Sequence, residues 1–191
     1  MTGRDQFKKF KLIINILVGV FGILGRKGNY FFLCMFRNTN GRIGLLLRYV
    51  FLKNCGLEVG DNVSVQPGVY LFNLHKVTIG NNVSIHPMCY IEGAGGIKIG
   101  DNVSIAHAST LISTNHTWTD TSIPIKYNQE TLSPVIIEDD VWIGCGVRVL
   151  SGVMIGKRSI VAAGAVVNKS FEHNSMLGGI PAKMIKKINE N

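Results

Sequence analysis

From Ile137 to Lys169 an aliphatic residue returns at every sixth position: Ile137, Ile143, Val149, Ile155, Val161 and Val167. A second row of small or branched residues follows four positions behind, at Val141, Val147, Val153, Ser159 and Ala165. Six is a multiple of the strand period, so one face stays buried through each short strand. The spacing fits the helical period of 3.6 badly, and the run is rich in Gly and Val, which disfavour a helix. Unbroken hexads predict a parallel β-helix, an all-β repeat in which each turn buries its apolar face against the turns above and below.

The register extends upstream. Val59-Gly-Asp-Asn-Val-Ser-Val, Ile79-Gly-Asn-Asn-Val-Ser-Ile and Ile99-Gly-Asp-Asn-Val-Ser-Ile begin twenty residues apart. Each opens three hexads (59/65/71, 79/85/91, 99/105/111), and three hexads make a triangular coil of 18 residues. The two residues left over belong late in the coil, around Phe72–Lys76 and Gly93–Gly96, where the phase shifts. The Gly-(Asp/Asn)-Asn sets suit tight corners, because Gly and Asn tolerate positive φ at low cost. With further coils opening at Ile137 and Ile155, the chain predicts about five coils. Stacked at ~4.8 Å, they form a column of about 24 Å. In this alignment Trp142 shares a column with Ser64, Ser84 and Ser104, an indole at one level among small hydroxyls.

Between the third and fourth coils the hexads stop over residues 114–136, a polar, Pro-bearing segment. A long loop in a tight repeat is uncommon and usually functional. It leaves from the corner that carries the extra residues, so it is expected beside Tyr90–Gly96. It contains His116, flanked by Asn115, Trp118 and Asp120, which makes His116 the candidate general base. His75, His86, His107 and His173 lie on or beside the coils and lack the close pair that a three-histidine metal site uses. No metal is expected.

Residues 1–56 read as a separate, helical appendage to the domain at 57–191. Residues 1–55 hold ten Lys/Arg against Asp5 alone, whereas the remainder holds ten against eleven acids, so the net charge of +8 is concentrated at the start. No aromatic-and-basic recognition motif accompanies that charge, and nucleic acid is not an expected partner. Leu12–Gly25 and Ile43–Lys53 are apolar segments bordered by Lys and Arg, separated by a polar break at Arg37–Arg42. About 14 apolar residues are too few to span a bilayer, which takes roughly 20. No cleavage site of the signal-peptide kind follows them. Two helices packed on the column or on a neighbouring subunit are one reading, and an interfacial membrane anchor is the other. Cys34, Cys55, Cys89 and Cys145 show no paired spacing. They read as small buried hydrophobes in a reducing compartment.

The chain from about residue 57 to 188 resembles the hexapeptide-repeat acyltransferases, a left-handed parallel β-helix family that includes serine, galactoside, maltose and xenobiotic acetyltransferases. The resemblance rests on the hexads, on Asn115-His116 in the loop, and on Val141-Trp142-Ile143-Gly144. It rests further on Ala162-Ala163-Gly164-Ala165-Val166-Val167-Asn168-Lys169 and Gly178-Gly179-Ile180-Pro181-Ala182-Lys183. It implies a left-handed coil with a short C-terminal helix, a homotrimer with sites between neighbouring columns, and acetyl-CoA as co-substrate. It implies that His116 takes the proton of an acceptor hydroxyl. Trp142 would line the thioester end, and Gly144, Cys145 and Ala163 would let the pantetheine arm approach the backbone. Asn168 and Lys169 would lie along the cofactor, and Lys183 would meet its phosphates. An N–H near Gly144–Cys145 would receive the oxyanion.

The basic, apolar start looks more like that of the O-acetyltransferases that decorate capsule, exopolysaccharide or O-antigen sugars. A carbohydrate acceptor is therefore expected, held by Tyr90, Glu92, Asn115 and Asp120. The expected location is the cytoplasm, at the inner face of the cell membrane. An acetyltransferase of serine, an amino sugar or an antibiotic is the alternative, as is a non-catalytic trimeric scaffold.

Overall fold

The computed structural model describes residues 3–188, so the ends of the two expected regions, residues 1–2 and 189–191, lie outside the described residues. Fifteen short strands stack as three parallel sheets that form the faces of a triangular prism. The first face holds Glu58–Val59, Val77–Ile79, Ile97–Ile99, Val135–Ile137 and Met154–Ile155. The second begins with Ser64–Val65, Ser84–Ile85, Ser104–Ile105, Trp142–Ile143 and Ile160–Val161. The third holds Tyr70–Phe72, Tyr90–Glu92, Thr110–Ile112, Arg148–Val149 and Val166–Val167. Five coils are complete, and Phe171 and Ser175–Gly178 begin a sixth.

The hexad residues are the core. Ile79, Ile99, Ile137 and Ile155 stack in register on the first face, as do Ile85, Ile105, Ile143 and Val161 on the second. All eight are at most 2% exposed. Burying one such aliphatic fully is worth about 1.5–3 kcal/mol, which is why six-residue periodicity survives where polar positions vary. The second row, Val141, Val147, Val153, Ser159 and Ala165, plugs the corners from inside.

At the first corner, between the first and second faces, Asn62, Asn82 and Asn102 all have φ of 55–58°. The preceding residues form a ladder between coils: the N–H groups of Asp61, Asn81 and Asp101 donate to the side-chain oxygens of Asn81, Asp101 and Asp139 at 2.8, 2.6 and 2.9 Å. The Gly-(Asp/Asn)-Asn repeat thus combines one left-handed residue with one acceptor for the coil below.

Three helices, rather than two, precede the column: α1 (Gly3–Gly22), α2 (Gly25–Met35) and α3 (Gly41–Cys55). The unforeseen α2 turns Asn29, Leu33 and Phe32 inward, a stripe that basic and aromatic neighbours obscure in sequence. Helix α3 closes the open end of the prism, with Val50, Phe51, Leu52 and Cys55 fully buried. A solenoid requires such a cap, since its first coil has no neighbour below. Arg48 fastens it: Nε donates to Val65 O at 2.7 Å, and Nη1 to the carbonyls of Phe36, Arg37 and Thr39. Helix α1 lies along the first corner, where Lys11 Nζ meets Asp61 Oδ2 at 2.5 Å and Arg4 reaches Asn102.

Three further expectations change. The short C-terminal helix is instead an antiparallel pair, Ser175–Gly178 with Lys183–Lys187. Gly179 at φ 96° and Pro181, which has no N–H, interrupt any helix there, and the open edge of the last coil offers a strand to pair with. Trp142 is not alone in its column: Ile160 and Met176 follow it, so the column changes from hydroxyls to bulky apolar residues at that level. Cys55 and Cys89 are buried, but Cys34 and Cys145 are only partly so. Burial pushes the Cys55 thiol up to about 12, which makes it inert.

Candidate active site

The insertion leaves the third corner, between the third and first faces, and folds on itself. Thr114–His116 pairs with Glu130–Leu132 in antiparallel register. Asn128, 6% exposed, holds the tip together: its Nδ2 donates to the carbonyls of Asp120 and Pro124, and its Oδ1 accepts the Asp120 N–H at 3.0 Å. Thr117 Oγ1 donates to Gln129 O at 2.7 Å. A loop built this way carries a side chain from a defined backbone rather than from a floppy tether.

His116 stands directly across the hairpin from Glu130, with Nε2 and Oε1 3.6 Å apart. That is longer than a hydrogen bond, so the carboxylate neighbours the ring without being bonded to it. Sequence reading missed Glu130, because the hairpin strands carry no apolar alternation to reveal their pairing. The imidazole opens onto a groove of about 500 Å³ lined by Ile112, Thr114, Asn115, His116, Leu150, Ser151 and Asn168. Leu150, Ser151 and Asn168 come from the third corner of the two coils above. Those coils therefore form one wall of the groove, and the hairpin forms the other.

Of the residues singled out in sequence, Asn115, His116 and Asn168 meet in this groove, with Lys169 next along the same corner. Tyr90 and Glu92 lie on the third face one coil below, Glu92 in register with the groove residue Ile112. Glu92 does not face the groove: Oε1 accepts Asn73 Nδ2 and the Ala94 N–H, both at 2.8 Å, and Oε2 is buried. Asp120 does not line this groove; it lines a separate cavity with Thr117, Asn128 and Glu130, and its carboxylate accepts from the Ser122 hydroxyl and N–H, which hold it below the usual carboxylate range.

The other expected cofactor residues gather elsewhere. Trp142, 54% exposed, lies on the second face beside a groove of about 310 Å³ with Asp140, Arg158 and Ile160. Gly144, Cys145 and Ala163 form the second corner, between the second and third faces. Lys183 begins the terminal strand, exposed and opposite Gly178. Within one chain, this group is one prism corner away from His116.

Gly144 is buried, and a Cβ there would lie 2.7 Å from both Ala163 N and Val161 O. Its N–H already donates to Val161 O at 2.8 Å, so that group is committed to the coil ladder and not to an oxyanion. Gly144→Ala is expected to lower stability by about 1–3 kcal/mol through overpacking against backbone, measured as a shifted urea midpoint. A raised KM for acetyl-CoA with an unchanged midpoint would show instead that the glycine serves cofactor approach.

The family profile for bacterial transferase hexapeptide (six repeats) matches residues 134–169. A galactoside acetyltransferase solved with coenzyme A superposes with a TM-score of 0.74 and 30% identity, covering 86% of this chain and 80% of that one. A maltose O-acetyltransferase from Clostridium difficile 630 superposes with a TM-score of 0.74 at 28% identity, covering 88% and 89%. A hexapeptide-repeat-containing acetyltransferase from Vibrio cholerae gives 0.73 at 25% identity over 93% of each chain. The chain belongs to the hexapeptide-repeat transferase family, and its fold is that family's left-handed parallel β-helix. The chain matches less than a third of the length of the curated relatives it resembles. A 2,3,4,5-tetrahydropyridine-2,6-dicarboxylate N-acetyltransferase from Staphylococcus aureus is 52% identical over 58 residues, 30% of this chain and 24% of the relative. The stretch shared with a Saccharomyces cerevisiae relative is 31% of that protein's length.

Proposed function

We propose that this protein is an acetyl-CoA-dependent O-acetyltransferase that modifies a sugar hydroxyl in capsule, exopolysaccharide or O-antigen biosynthesis, working as a homotrimer. The observation that carries this reading is His116 opening onto a groove with Asn115 and Asn168, with Glu130 across the hairpin from it. The acceptor hydroxyl gives its proton to the His116 ring nitrogen that does not face Glu130, and its oxygen attacks the thioester carbonyl. The C–S bond then breaks, and the CoA sulfur takes the proton back from the imidazolium. Glu130 lies beside that ring, and because both side chains are more than half exposed the general base, not the pair, carries the rate. Asn115 and Asn168 offer amides to the two substrates, and holding both in one groove contributes the larger share of the acceleration.

The separation of Trp142, Cys145 and Ala163 from His116 favours a site shared between copies, with the second corner of one chain facing the third corner of the next. Mixing His116→Ala with Trp142→Ala after joint refolding tests this. Recovery of activity above either variant alone is expected, because some interfaces then carry both native residues. No recovery in a confirmed trimer would place the whole site within one chain.

The acceptor is read as lipid-linked. Helix α1 turns Phe7, Ile14 and Phe21 toward the protein and leaves Leu12, Ile16 and Val20 exposed on the opposite side, with Ile23 exposed just past its end. Lys8, Lys9 and Lys11 lie near its start. No helix among the described residues is long and apolar enough to cross a membrane. An apolar stripe with flanking cations fits the surface of an anionic bilayer. Ile16→Asp/Val20→Asp is expected to abolish co-sedimentation with phosphatidylglycerol vesicles while leaving thermal stability intact. Unchanged sedimentation would remove α1 from the membrane reading.

A further inference from the structure

Below the His116 groove, the third corner continues through features that the proposed reaction leaves unused. At its lower end is a pocket of about 530 Å³ between α2 and the first coil, lined by Arg26, Lys27, Tyr30, Phe72, Asn73 and His75 among others. No Asp or Glu is among its described lining residues. Two permanent cations, a histidine and a phenol facing one concave space make a strongly one-signed surface, which favours a compact anion.

Between this pocket and His116 runs an aromatic platform. Tyr70 stacks on Phe72 with centroids 6.4 Å apart, and Phe72 meets Tyr90 at 5.3 Å. Tyr70 and Tyr90 are about 40% exposed, and the Arg37 guanidinium covers the Tyr70 ring at 4.0 Å. Arg37 occupies one face of Tyr70, so Tyr90 and Phe72 offer the remaining aromatic surface, against which a sugar ring can pack by apolar contact. Glu92 adjoins the pocket through its hydrogen bond to Asn73, so one carboxylate stands beside the two cations and the histidine, and the balance of charge is still positive. The pocket's Asn73 and the groove's Ile112 lie two coils apart on the same edge, about 10 Å along the axis. A short glycosyl phosphate spans that distance.

We infer that the Arg26–Lys27–His75 pocket holds the phosphate of the acceptor, so that the acceptor is a glycosyl phosphate or diphosphate rather than a free sugar. The inference rests on His116 being the acetyl-transfer site, and binding can be read without that reaction. The phosphate could belong to a soluble ester or to a lipid-borne one, and separate arms distinguish the two.

Calorimetric titration of the intact protein with glucose 1-phosphate, inorganic pyrophosphate and glucose is the test. Both anions are expected to bind, glucose at least ten-fold more weakly. Arg26→Ala/Lys27→Ala is expected to weaken the anions ten-fold or more, with loss of their salt dependence. Binding is expected to persist in His116→Ala and with CoA saturating, which separates this pocket from the catalytic step and from the cofactor's own phosphates. No binding of either anion at about 10 mM, or equal binding by the double variant, overturns the inference. So does displacement by CoA. Vesicle sedimentation provides the other arm: if the double variant loses phosphatidylglycerol vesicles yet keeps glucose 1-phosphate, the pair reads a membrane headgroup and the acceptor assignment falls. If His116→Ala retains full thiol release from acetyl-CoA while the anions still bind, the catalytic reading fails and the phosphate pocket stands alone.

Discussion

His116→Ala is expected to lower kcat for acetyl transfer by about 10²–10⁴-fold, the usual contribution of a positioned general base. A sugar hydroxyl is a poor nucleophile while it keeps its proton, and the side chains lining the groove offer no second base: Thr114, Asn115, Ser151 and Asn168 do not accept a proton near neutral pH. CoA binding should be unchanged, because Trp142 lies on the second face and Cys145 and Ala163 on the second corner, away from His116. Asn128→Ala should give a milder loss through loosening of the hairpin. The check is thiol release from acetyl-CoA with a sugar acceptor, alongside equilibrium CoA binding. Full turnover in the alanine variant would reduce the protein to a scaffold or move the base elsewhere. An acceptor panel including serine and amino sugars would then separate the remaining acetyltransferase readings.

The second large effect concerns the cap. Arg48→Ala is expected to destabilise the fold by about 3 kcal/mol, read as a fall in the urea midpoint. Arg48 is 1% exposed and donates to four backbone carbonyls from three segments: the first coil, the end of α2 and the turn before α3. Burial draws its basicity down, but a guanidinium stays charged in such a place. Its removal leaves several buried carbonyls short of a donor, at roughly 1–3 kcal/mol each, partly offset by relief of the desolvated charge. Lys at this position should recover only part of the loss, since a point charge cannot reproduce the planar fork. An unchanged midpoint in Arg48→Ala would mean that α3 caps the column through Phe51 and Leu52 alone.

The hexads determined the column because burial imposes the same demand at every level: Ile143 must be apolar whatever chemistry the chain performs. The corner motif was legible for a related reason, since few residues other than Gly, Asn and Asp accept a left-handed backbone or supply a short acceptor. His116 was legible as a departure from that regularity. Glu130 was not, because its pairing with His116 is made by a hairpin whose strands bury no face and so leave no period in the sequence.

Tertiary structure also showed what surrounds Gly144 and Trp142. Gly144 reads as space for a cofactor until the coil above is seen to occupy it, and Trp142 reads as solitary until Ile160 and Met176 fall into its column. The C-terminal strand pair, the cap closed by Arg48 and the basic pocket beside Phe72 and Asn73 arise from residues distant in the chain. A periodic sequence specifies its own repeat because each coil presents the same surface to the next. It does not specify what meets at the ends and corners, because those contacts are made once and have no period to betray them.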